Sequence, residues 1–318
     1  MREETFIRMI SNLHHRSSVQ LNKLFEADAE IIRQDDGFLA ISVDGFSEFE
    51  DFFQNTPPGR IGHNMIASAI SDLLACGVKP EFIVQNWDVD SSKGDDFYKC
   101  VALGVENVLH HYGAFCLGGD TGSASPWRYA ATVFGRTKNK PVTRVTSRRV
   151  QFDLYLSGKL GDANLAGFTS EPMPKIELRE PVPLNALFAT DTSGGFFDAL
   201  ENFRRVNTGM SLKIEFTDVI SDIVLEKWPK KMNPVFTLIG GIGEYELIFA
   251  MPRNLRGTVD AIRVGEGEFT GRIENDFLFD IRGKTVGSMK AAPPDYRNIS
   301  PENYLEATKL YFLEVMTL

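Results

Sequence analysis

The chain has 318 residues, 43% of them hydrophobic and 24% charged, with a net charge of −9. Its length suggests about two domains, at roughly 150 residues each, and its composition is that of a globular protein rather than a disordered or repetitive one. The acidic balance argues against broad binding to nucleic acid or anionic membranes.

No apolar run approaches a bilayer span, and Met1-Arg2-Glu3-Glu4 has no apolar stretch of the signal-peptide kind, so a cytoplasmic location is expected. Cys76, Cys100 and Cys116 have no metal-binding spacing and are expected as buried reduced thiols. His14, His15, His63, His110 and His111 read as surface or helix-face residues.

Residues 3–24 mix apolar and polar side chains at helical spacing. Two strand-like runs, 29–32 and 38–43, flank Gln34-Asp35-Asp36-Gly37, a hairpin turn that gives Asp35 and Asp36 a purely conformational reason to be there. A buried helix is expected over 61–76, closed by Gly77 and Pro80. A strand near 82–88, an amphipathic helix over 95–112 and a short strand at 115–117 follow, the last running into Gly118-Gly119-Asp120-Thr121. After a strand at 129–135, the basic segment 138–149 marks a boundary between domains 1–140 and 141–318.

The second half restarts with a strand at 153–158 and a helix at 160–168. Residues 171–183 contain four prolines and read as irregular. A strand at 186–190 enters Asp191, and a helix is expected over 195–207, a strand over 212–216 and a helix over 219–228. Strands are expected at 245–251, 261–264 and 269–273. Hairpins alongside helices in both halves make the fold class α+β.

Four aspartates stand where a divalent metal and a polyphosphate would want them. Asp44 ends an apolar strand, and Asp72 interrupts an otherwise apolar helix between Ile70 and Leu73. Asp120 follows two glycines that let backbone approach a phosphate, and Asp191 precedes Thr192-Ser193-Gly194-Gly195 at a helix start. Each also has an ordinary reading: turn, glycine bend, helix N-cap or hydrogen-bonded structural acid. Buried carboxylates are costly unless paired or metal-bound, so several brought together call for cations between them.

The order of these segments resembles the AIR synthase (PurM-like) superfamily, and within it the thiamine-monophosphate kinases. The resemblance rests on Asp28-Ala29-Glu30-Ile31, on Asp44 with Glu48, and on Ser71-Asp72-Leu73-Leu74-Ala75-Cys76-Gly77-Val78-Lys79-Pro80. It rests also on the intact Gly118-Gly119-Asp120-Thr121, on Ser157-Gly158-Lys159-Leu160-Gly161-Asp162-Ala163, and on Gly241 to Phe249.

The resemblance implies an N-terminal α/β domain whose sheet forms a barrel across a homodimer, and a C-terminal α+β domain. It implies an ATP- and Mg2+-dependent phosphotransferase acting on a small phosphate-bearing acceptor, with no nucleic-acid or membrane partner. Asp28, Asp44, Asp72, Asp120 and Asp191 would be metal ligands, with Asp44, Asp120 and Asp191 nearest the chemistry. Gly118, Gly119, Thr121 and Ser193 would bind nucleotide, and an arginine at 144, 148 or 149 would face phosphate.

Two departures stand out: Gly194 replaces the second acid of the family's Asp-x-Ser-Asp-Gly, and Asp51 replaces a histidine. They leave open a non-catalytic nucleotide-binding paralogue, or a synthase of the same superfamily that activates an amide or carbonyl.

Overall fold

The computed structural model describes residues 3–48, 55–294 and 301–316; Asp51 lies outside them. Helix α1 (Glu3–Leu13) stops well short of Leu24. Strands β1 (Glu30–Gln34) and β2 (Gly37–Ser47) form the expected hairpin, with Gln34 opposite Gly37. Helix α2 (Pro58–Ala75), β3 (Phe82–Val89), α3 (Asp95–Tyr112), β4 (Phe115–Ser123) and β5 (Arg128–Thr137) complete the first half. Its five-stranded sheet has the order β1-β2-β5-β3-β4, antiparallel except for the β3–β4 pair.

The second half contains β6 (Phe152–Leu156), α4 (Asp162–Thr169), β7 (Phe188–Asp191), α5 (Phe196–Val206) and β8 (Met210–Glu215). The helix expected over 219–228 is two pieces, α6 (Phe216–Val219) and α7 (Asp222–Lys227). Ser221 separates them because its hydroxyl accepts from the Val224 amide and caps the second piece. Strand β9 (Leu247–Pro252) comes next, and β10 (Ile262–Phe269) begins at the run expected over 261–264; the strand expected over 269–273 does not form, since residues 270–275 are irregular. Strands β11 (Asp276–Ile281) and β12 (Lys284–Met289) and helix α8 (Pro301–Val315) carry no clear sequence signal. The seven strands follow the order β12-β11-β8-β10-β6-β9-β7.

Two apolar cores result. One is rich in aromatics, with Phe152, Phe188, Phe197, Phe216 and Phe279 beneath the second sheet. The other joins the two halves: Ile66, Ile70 and Leu73 of α2 and Val101 and Val105 of α3 pack with Ile83 and Val133 of the first sheet, and with Ala189, Leu247 and Phe249 of the second. Helix α2 is therefore covered on nearly every side. From Ile61 to Ala75 every residue is buried except Asp72, which is half-buried. A burial stripe that wide is what an apolar helix wedged between two sheets requires.

The proline-rich stretch 171–183 is irregular, as expected. Cys76 is buried, whereas Cys100 on α3 and Cys116 on edge strand β4 are exposed, because the elements that carry them have an open side. His63 is not a surface residue: it is buried, with Nε2 2.7 Å from the Ile176 carbonyl.

Candidate functional site

Asp28, Asp72 and Asp191 converge, with one carboxylate oxygen from each within 4.8 Å of the others. Three separate chain features bring them together. Asp28 immediately precedes the hairpin, Asp72 sits in the last turns of α2, and Asp191 ends β7. The connection between the halves ties them: the Arg144 amide donates to the Glu26 carbonyl at 2.7 Å, and the Ala189 amide donates to the Thr143 carbonyl at 3.2 Å. That stitch carries the Arg144 guanidinium onto Asp28, whose side chain is 1% exposed.

The sequence alone left Arg144, Arg148 and Arg149 as alternatives. Arg149 instead lies over the Phe269 ring and donates to the Thr208 carbonyl, and the Arg148 amide bonds within its own turn.

Each acid has a hydroxyl partner. The Thr190 hydroxyl donates to Asp28 at 2.8 Å, Ser42 to Asp72 at 2.5 Å, and Ser71 to Asp191 at 2.6 Å. Ser193 donates to the other oxygen of Asp191 through its hydroxyl, 2.7 Å, and its amide, 3.2 Å. Asp44 lies one helical turn away across α2, accepting from Ser68 at 3.0 Å.

Charge is nevertheless in excess. Burial pushes the Asp28 carboxyl up to about 6 against the opposing pull of Arg144, and Asp191 adds to the rise. Burial, then Asp191 and Asp28, hold Asp72 well above the usual carboxylate range, with a smaller push from Asp44. One guanidinium does not neutralise this set. Converging hard oxygen donors short of positive charge fit a small divalent cation.

The remaining expected residues lie elsewhere. Asp120 is exposed on β4, opposite Asn86 of β3, and is not part of the three-acid cluster. The glycines before it do not form a loop after a strand; they lie within β4. Gly118 has φ +122°, and a Cβ on Gly119 would stand 1.7 Å from the Gln85 carbonyl oxygen, where the β3–β4 register shifts. A bulge against the neighbouring strand therefore accounts for Gly118-Gly119, and Thr121 pairs with Trp87 in the same ladder. Gly194 also has a local reason, because the Asp198 carboxylate lies where a side chain at 194 would project.

Residues 26–137 match the model of the AIR synthase related protein, N-terminal domain. The chain is 23% identical to a thiamine-monophosphate kinase of Archaeoglobus fulgidus over 284 residues, 84% of this chain and 90% of that one. Among solved structures, AaThiL complexed with AMPPCP and TMP superposes with a TM-score of 0.70 at 20% identity, covering 90% of this chain and 96% of that one. The hydrogenase maturation protein HypE in complex with ATP superposes with a TM-score of 0.60 at 15% identity, covering 92% and 96%. The fold is thus the mixed α+β fold of these proteins. The resemblance read from the motifs stands: the chain is similar to the AIR synthase superfamily and, within it, to thiamine-monophosphate kinases.

Proposed function

We propose that the chain is an ATP-dependent phosphotransferase that uses magnesium and acts on a small phosphate-bearing acceptor, as its resemblance to thiamine-monophosphate kinases suggests. The observation that carries this reading is the convergence of Asp28, Asp72 and Asp191 with, among the described residues, one guanidinium to balance them. These three, with Asp44 beside them, would hold the metal. Magnesium bound there would neutralise the polyphosphate and the charge that develops during transfer.

The chain's own residues supply the positioning. Arg144 and Thr190 fix one Asp28 oxygen, Ser42 fixes Asp72, and Ser71 and Ser193 fix Asp191. Each carboxylate is thereby held with an oxygen turned to its neighbours. Such preorganisation is most of what phosphoryl transfer asks of a protein. A phosphomonoester acceptor is already ionised near neutral pH, and no histidine is needed as base.

Asp120, Gly118, Gly119 and Thr121 belong to the other part of the proposal, the homodimer. Strand β4 is an outer strand of its sheet with Phe115 66% and Leu117 63% exposed, and Val43 on β2 is 69% exposed. An open, apolar edge invites pairing, and a barrel formed with a second copy would cover it.

Thermal-shift titration with Mg–ATP tests the site. The protein should be stabilised by Mg–ATP, and Asp72→Asn should lose that stabilisation; an unchanged shift in the variant sinks the assignment. Phosphorylation of thiamine monophosphate by the wild-type protein then tests the acceptor. Gly194, with Asp198 filling its space, favours a second reading in which the acceptor end is altered and the chain binds Mg–ATP without this transfer. Mg–ATP binding with no turnover on thiamine monophosphate would support it.

A further inference from the structure

A cavity of about 220 Å³ lies between the segment before the hairpin, strand β1 and the connection between the two halves. Thr143 and Val145 line it, whereas Arg144 between them does not and reaches Asp28 instead. The connection therefore runs between this cavity and the three-acid cluster, and none of Asp28, Asp72 or Asp191 is part of its wall. Leu21, Ile31, Phe38 and Val145 give it an apolar panel. Its volume is below the roughly 300–1,000 Å³ of drug-sized sites and suits a smaller molecule.

Its charged groups are mostly cationic and uncommitted. Arg33 shares the face of β1 that carries Ile31, two residues away and 1% exposed, and stands opposite Phe38 in the hairpin ladder. Neither the Arg33 guanidinium nor the Lys140 ammonium has a hydrogen bond or ion pair among the described residues. The acids nearby are engaged elsewhere or stand off the wall. Glu30 is paired with Arg16 and accepts from Asn22, both at 3.1 Å. Glu26 accepts the Lys23 amide at 2.8 Å. The turn acids Asp35 and Asp36 do not line the cavity.

Two cations against one carboxylate, in a protein of net charge −9, select an anion. A bare inorganic anion would leave the apolar panel uncovered. A guanidinium fork matches the two oxygens of a carboxylate. We propose that this cavity is a second ligand site, distinct from the three-acid cluster, for a small organic carboxylate. The acid group takes the Arg33 fork with Lys140 as the second cation, and the body lies on Leu21, Ile31, Phe38 and Val145.

Calorimetry on the full chain with three probes of one ring size tests the site: benzoate, benzamide and benzamidine. Benzoate should bind most tightly and benzamidine least. Arg33→Gln should weaken benzoate about tenfold or more, the share of one charge-assisted pair. Arg33→Lys keeps the charge and loses the fork, so its affinity should fall between. Glu26→Gln keeps an oxygen for the Lys23 amide and removes the acid of the wall, so it should tighten benzoate. Arg33 is exposed, so its variants should melt as the wild type does. Mg–ATP stabilisation should be the same in all three variants as in the wild type. Absence of benzoate binding at millimolar concentration, equal affinity for the three probes, unchanged benzoate binding in Arg33→Gln, or displacement of benzoate by Mg–ATP would each overturn the proposal.

Discussion

A Cβ on Gly194 would lie 2.4 Å from Oδ2 of Asp198, so the first turn of α5 fills the space in which any other side chain at 194 would begin. A side chain at 194 therefore requires the Asp198 carboxylate to move. Gly194→Asp should destabilise the protein by about 1–3 kcal/mol, the usual cost of overpacking, with like-charge repulsion added. Asp198→Ala should recover a large part of that loss. Urea unfolding of the two single variants and the double variant gives the coupling, and additive effects would show that the contact is not the cause.

Arg144 is the counter-cation of a buried acid. Replacing it with methionine leaves the Asp28 carboxylate without its guanidinium, and breaking such a pair costs about 3–5 kcal/mol. Arg144→Met should show that loss in metal-free buffer, and Arg144→Met/Asp28→Asn should recover part of it.

Asp72→Asn removes one of three mutually repelling groups. In metal-free buffer near neutral pH the variant should be more stable than the wild type, because burial and the neighbouring Asp191 and Asp28 disfavour a charge at this position. In millimolar Mg–ATP the order should reverse. Thermal melts with and without the metal read both effects, and a variant less stable in both conditions would contradict the charge-excess account.

Glu244 gives a signed pH dependence. Its carboxyl is pushed up from 4.5 to about 8 by burial. Between those values the folded protein keeps a proton that the unfolded chain gives up, so stability falls as pH rises through that window and levels off above it. His63, held below its ordinary value by burial, works in the opposite direction near neutrality. The difference between wild type and Glu244→Gln isolates the acid: melting points should converge near pH 4 and separate by pH 8, with the variant higher by the equivalent of a few kcal/mol.

Leu117 tests the edge of the first sheet. Leu117→Lys places a charge on exposed β4, a device that discourages edge pairing. Sedimentation should show a dimer for the wild type and a shift toward monomer for the variant, with the melting point of the monomer little changed. A monomeric wild type would remove the barrel from the proposal.

Local pattern carried the reading furthest where one element sufficed. The helix over 95–112 coincides with α3 because its apolar positions recur at helical spacing and Gly113, in the left-handed region, ends it. The β1–β2 hairpin follows from Asp36-Gly37 alone. Strand β10 was harder to see because Gly265 and Gly267 interrupt its alternation. Those glycines admit the Lys213 carbonyl and the Phe152 ring, contacts made by other strands. Helix α8 buries Tyr311 and Val315, four residues apart, but the strands it packs on lie elsewhere in the chain, so that packing was not legible.

The sequence by itself determined most element types up to β10, the unusual place of Asp72 in an apolar helix, and the order of motifs that marks the superfamily resemblance. Only the tertiary structure decided which acids meet. Asp28, Asp72 and Asp191 are separated by many residues and gathered by one wedged helix and one stitched connection, while Asp120, in the most intact motif, stands apart on an exposed strand. The physical reason is that periodicity is set by neighbours along the chain, whereas a convergence of carboxylates and the pairing of Arg144, rather than Arg148 or Arg149, with Asp28 depend on how separate elements pack.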